Sequence, residues 1–142
     1  MTEVAFHFNV PDKPAYACRL LRKAWGSGAR VVVTGEAETL ERLDLLLWTF
    51  SALEFVPHCR PDACATTLAA SPVLLAATLA DCPHHEVLVN LGQDVPPGFE
   101  RFERFIELVA VAEADRAAAR SRWKHYADRG YAMKRHDLAV SA

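Results

Sequence analysis

Residues 30–34 read RVVVT, a β-branched run with no polar residue alternating through it. A strand with one face in water alternates apolar and polar side chains. An unbroken apolar run suits a strand covered on both faces, as in a parallel sheet between helical layers. Residues 86–91, EVLVNL, repeat the pattern, and residues 72–76, PVLLA, give a shorter version of it. Just upstream, the run AYACRLLRKAWGSG after Pro14 places Tyr16, Leu20, Leu21, Ala24 and Trp25 at helical spacing. Pro14 suits the first turn of that helix, and Gly26 and Gly28 mark its end. Downstream, residues 36–49 form a second helix with Leu40, Leu43, Leu47 and Trp48 on one side and acidic residues in the first turn. Strands alternating with helices at this spacing imply right-handed crossovers, so the expected fold is an α/β, three-layer α/β/α sandwich with a mostly parallel sheet.

Further out, residues 4–10 alternate Val, Phe and Phe with Ala, His and Asn, a period of two that predicts a strand with one buried face. Residues 50–58, FSALEFVPH, read as an exposed non-helical segment, because Pro57 biases its neighbour towards extended backbone. Loops are expected over 60–71, 79–85 and 92–98, a helical turn or two over 99–104, and the final strand over 105–111. A long helix then covers 112–129. Residues 131–142 show no sustained period and read as a partly ordered tail of a single domain spanning 1–142.

Composition narrows the function classes. With 142 residues the chain can bury about two-thirds of its unfolded surface, so it needs no disulfide or metal to fold. Sixteen Lys and Arg against 18 Asp and Glu give a net charge of −2, which leaves no global excess for neutralising phosphates; direct DNA binding is therefore not expected as the main activity. The N-terminus MTEVAFHFNV lacks the basic start of a secretory signal, and the weakly polar run at 65–80 is too short to span a bilayer. A cytoplasmic location with no membrane partner follows as an expectation. Cys18, Cys59, Cys64 and Cys82 then read as reduced thiols.

Chemistry concentrates in the closing helix. Arg116, Arg120 and Trp123 are spaced by four and three residues, which at roughly 100° per residue puts them within an arc of about 60°. Val109, at the end of the preceding strand, can sit beside them. Guanidinium groups bind carboxylates bidentately and the apolar groups can take a terminal side chain, which suits a short acidic peptide with a free C-terminus. The bland alternative is a solvated basic face with one Trp in the core. A second cluster is apolar: LDLLLW at 43–48 is nearly apolar all round, and Phe50 and Phe55 follow it, as a partner-covered surface would require. No glycine-rich phosphate loop follows the first strand, so no cofactor is expected. His58, Cys59, Cys64, Cys82, His84 and His85 leave one alternative open, a small α/β enzyme or zinc-binding protein with a loop-built site, although a whole strand separates the two halves.

Taken in order, AFHFNV, AWGSGARVVV, LDLLLWTFSALEFVPH, SPVLLA, EVLVNL and DRAAARSRWKHYADRGY resemble the chi subunit family of bacterial DNA polymerase III holoenzyme, from end to end of the chain. The resemblance implies an α/β/α sandwich without a working nucleotide site and a protein that is not catalytic by itself. It implies two protein partners: the psi subunit of the clamp-loader assembly, and the acidic C-terminal tail of single-stranded DNA-binding protein, with DNA reached only indirectly. Trp48 and Phe55 match the family's psi-facing positions. Val109, Arg116, Arg120 and Trp123 match its tail-binding groove.

Overall fold

The computed structural model describes residues 2–49, 57–61, 71–79 and 82–138. The elements run β1 (Glu3–Val10), α1 (Lys13–Gly26), β2 (Val31–Thr34), α2 (Ala37–Thr49), β3 (His58–Cys59), β4 (Val73–Leu75), β5 (Val87–Asn90), a 3₁₀ turn (Phe99–Arg101), β6 (Arg104–Ala110), α3 (Glu113–Asp128) and β7 (Ala132–Asp137). The strands form one sheet in the order β3-β4-β2-β5-β6-β1-β7, and every neighbouring pair is parallel.

The valines of RVVVT show why such a run marks this architecture. Val31 and Val33 pack with Leu21 of α1 and with Leu40, Leu43 and Leu47 of α2, while Val32 faces the opposite core with Leu88, Phe105 and Tyr126. Thus α1 and α2 cover one face of the sheet and α3 covers the other. In β6 the same alternation sends Ile106 and Leu108 to the first core and Phe105 and Val109 to the second.

Glu107 lies between those residues and points at α3. It is fully buried, and it accepts hydrogen bonds from Arg122 Nε at 2.9 Å, the Tyr126 hydroxyl at 2.6 Å and Asn90 Nδ2 at 2.9 Å. Burial pushes its pKa upward, and the Arg122 charge with the three donors pulls the other way. Arg122 also donates to the Gln93 carbonyl, so one network joins β5, β6, α3 and the loop after β5. The start of α3 is fixed separately. Asp115 accepts from the Ala110 amide at 2.7 Å and pairs with Lys13, whose ammonium also reaches the Leu91 carbonyl.

Three sequence expectations need correction. Residues 105–111 do not make the final strand, because β7 follows and pairs with β1 from Glu3↔Ala132 to Phe8↔Asp137. AMKRHD carries no apolar period because an edge strand is half solvated and held by its ladder, and charged side chains there discourage further pairing. His58, read as part of an exposed segment, is buried in β3, its ring nitrogen 2.8 Å from Asp44. The turns expected over 99–104 shrink to three residues, since Arg104 already belongs to β6.

Removing one partner of a buried ion pair strands the other. Arg122→Ala should therefore cost about 3–5 kcal/mol of unfolding free energy, measured by urea denaturation. A loss below about 1 kcal/mol would mean that Glu107 is served by water instead.

A basic, aromatic-floored groove between α3 and the sheet edge

The side chains facing inward from α3 are Asp115, Ala119, Arg122 and Tyr126, three or four residues apart. Arg116, Arg120 and Trp123 project from the helix roughly a quarter-turn round from these, towards β1 and β7. There they line a groove of about 360 Å³ together with Val109, Ala119, Phe6, Phe8, Asn9 and Arg135. All four residues expected from sequence on this surface are thus brought together. Val109 and Phe6 are buried in the floor, and the edge of one ring meets the other where Phe6 and Trp123 stand 5.1 Å apart. The arginines stand at the rim, exposed.

Arg120 donates to Glu113 at 2.7 Å, two helical turns earlier, and both side chains are mostly in water. That hydrogen bond and the guanidinium charge hold the Glu113 carboxyl below the usual range. Such exposed pairs contribute little, so an incoming carboxylate can take the place of Glu113 at small cost. One groove arginine is thus already paired with a carboxylate of its own helix.

Sequence reasoning missed Asn9 and Arg135. Asn9 stands at φ 60°, a left-handed backbone that asparagine tolerates, where the pairing of β1 with β6 shifts register. Its side-chain amide donates to Asp137 at 2.7 Å and ties the end of β7 to the groove. Arg135 enters from β7, in register with Phe6. Nothing short of the strand pairing reveals it, because 12 positions separate it from Trp123 and its segment has no period.

On the other face of the sheet edge, Tyr16 and the His7 ring nitrogen are 2.6 Å apart. Burial, then the charges of His136, Arg104 and Lys23, lower the His7 pKa to about 4, so the ring is neutral at neutral pH.

The apolar surface expected on α2 is present in part. Trp48 is 61% exposed and Leu45 66%, with the Trp48 ring 5.3 Å from that of His58; Phe55 lies outside the described residues. A larger cleft of about 610 Å³ opens where β2 and β5 end, the usual ligand position in open α/β sheets. Among the described residues Glu36, Asp94 and Glu100 line it against one cation, Arg101, and its buried Asn90 is already engaged by Glu107, the Asp94 carbonyl and the Gly92 amide. That balance of charge is wrong for a phosphate.

The His/Cys alternative meets a geometric obstacle. His58 and Cys59 belong to β3, whereas Cys82 and His84 precede β5, and β4 and β2 run between, a separation of about 14 Å at the usual strand spacing. Among the described residues no three His, Cys, Asp or Glu side chains gather to hold a metal; Cys64 lies outside them. No helix among the described residues is long and apolar enough to cross a membrane.

The sequence profile of the family described as DNA polymerase III chi subunit, HolC, matches residues 1–134. A protein named DNA polymerase III subunit chi from Pseudomonas aeruginosa is 35% identical, over 97% of this chain and 98% of its own length. The protein of the same name from Haemophilus influenzae is 28% identical, over 86% of this chain and 85% of its own. With a match that spans residues 1–134, from β1 through α3 and into β7, the chain belongs to the DNA polymerase III chi subunit family.

Proposed function

We propose that this chain is a non-catalytic adaptor of the bacterial replicative polymerase, working in the cytoplasm, which links the clamp-loader assembly, through a psi subunit, to the acidic C-terminal tail of single-stranded DNA-binding protein. The observation that carries the reading is the groove, in which Arg116 and Arg120 stand over a floor built from Val109 and Trp123. An acidic tail with a free end needs a bidentate cation for its carboxylate, more positive charge along its approach, and an apolar recess for its last side chain. Each requirement has a residue here. The net charge of −2 leaves DNA as an indirect partner, reached through the tail.

Arg120 is the anchor in this reading, one turn from Trp123 and therefore beside the recess, whereas Arg116 steers. Trp48, with Phe55, forms the psi-facing surface. Because α2 and α3 cover opposite faces of the sheet, both partners can be held at once.

Calorimetric titration with a peptide copying the tail tests the first contact. Arg120→Ala should lose about 1.5–3 kcal/mol of binding with the fold unchanged, and Arg116→Ala should lose less and chiefly flatten the salt dependence. Equal affinities for wild type and Arg120→Ala would sink the assignment. For the second contact, Trp48→Ala should weaken capture of psi while costing less than the ~3–5 kcal/mol of a core aromatic truncation. Severe unfolding of that variant would return Trp48 to a structural role.

A further inference from the structure

We infer that Arg135, on the edge strand β7, is a second carboxylate-binding residue of the groove and acts with Arg120 from the opposite wall. The inference rests on the reading of the groove as a site for an acidic peptide end. Its grounds are the surroundings of the three groove arginines. Arg120 is engaged by Glu113. Arg116 rises from the solvated side of α3. Arg135 instead lies over aromatic faces, its guanidinium carbon 5.2 Å from the Phe8 ring centre and 5.9 Å from that of Trp123. Among the described residues it makes no ion pair.

Attraction to ring faces restrains a guanidinium while leaving N–H donors free, and those are the donors that a carboxylate accepts from. Side-chain freedom is thereby lost before the ligand arrives, which lowers the entropic cost of binding. The strand beneath is held as well, by its ladder to β1 and by the Asn9 amide on Asp137. A carboxylate seated above Val109 and Phe6 is then flanked by Arg120 on the helix wall and Arg135 on the strand wall. The aromatic pair that positions Arg135 also lines the recess for the peptide's terminal side chain, so the cation and the recess are one unit. Loss of Arg135 should therefore weaken selection for a free C-terminal carboxylate in particular, beyond a general loss of positive charge.

The test is titration of the acidic tail peptide, as free acid and as C-terminal amide, into wild type, Arg135→Gln and Arg135→Lys. Urea midpoints serve as the fold control, and Arg135→Gln keeps much of the side-chain stem should a smaller residue disturb the edge. Arg135→Gln should bind the free acid about tenfold more weakly than wild type, the scale of one charge-assisted hydrogen bond, and should prefer acid over amide less strongly. Arg135→Lys keeps the charge without the planar fork and should fall between the two. Wild-type binding with Arg135→Gln within twofold of it would overturn the inference and leave the groove reading standing. Absence of wild-type binding would remove both. An equal loss for acid and amide would make Arg135 a source of general attraction only and would also overturn it.

Discussion

The buried carboxylate of Glu107 is the constraint on which the rest of the structure depends. A charge in the second core is tolerable only if its partners are fixed, and these come from two separate pieces of chain: Asn90 at the end of β5, and Arg122 and Tyr126 one turn apart on α3. Satisfying Glu107 therefore sets the rotation of α3 on the sheet. Once Arg122 and Tyr126 point inward, Arg116, Arg120 and Trp123 have nowhere to face except the flank above β1 and β7. The groove is thus a geometric consequence of a buried ion pair that does not touch it. The Lys13–Asp115 pair fixes the helix along its axis, and the chain then turns through Gly130 at φ 79°, a conformation glycine adopts without penalty, into β7.

The sequence made much of this legible, and the physics explains which parts. RVVVT and EVLVNL are apolar on both sides because both sides are covered, so the parallel sheet shows through with little help from tertiary context. The closing helix exposes its groove residues through spacing alone. What stayed hidden depends on partners distant in sequence. β3 has two residues and β7 is a charged edge strand, and each exists because a neighbour supplies its ladder. Arg122 reads like Arg116 and Arg120 in a string of letters, yet it is buried while they are solvated. Its difference lies in Glu107, 15 positions earlier on a strand, and no helical period reports that. Arg135 was illegible for the same reason as the strand that carries it.

The division of the molecule into two covered faces also separates its exposed side chains by kind. Apolar exposure gathers on α2, with Leu45 and Trp48, and local positive charge gathers across the sheet at the rim of the groove. In the role proposed above, a net charge of −2 works against indiscriminate attraction to nucleic acid, while the groove rim keeps local positive charge for a peptide carboxylate. Glu113 is a further restraint in that proposed role, since it is paired with Arg120 and a ligand carboxylate would have to displace it.

Recognition of a chain end by the groove is read out by a calorimetric comparison of one acidic tail peptide with its C-terminal amide. Amidation removes the terminal negative charge and leaves every side chain in place. If the groove reads the terminal carboxylate, the wild-type chain binds the free acid and amidation lowers its affinity at least about tenfold, the scale of a charge-assisted hydrogen bond. Indistinguishable affinities for acid and amide would contradict it, and would reduce the groove to a surface that attracts acidic sequences without reading where they end.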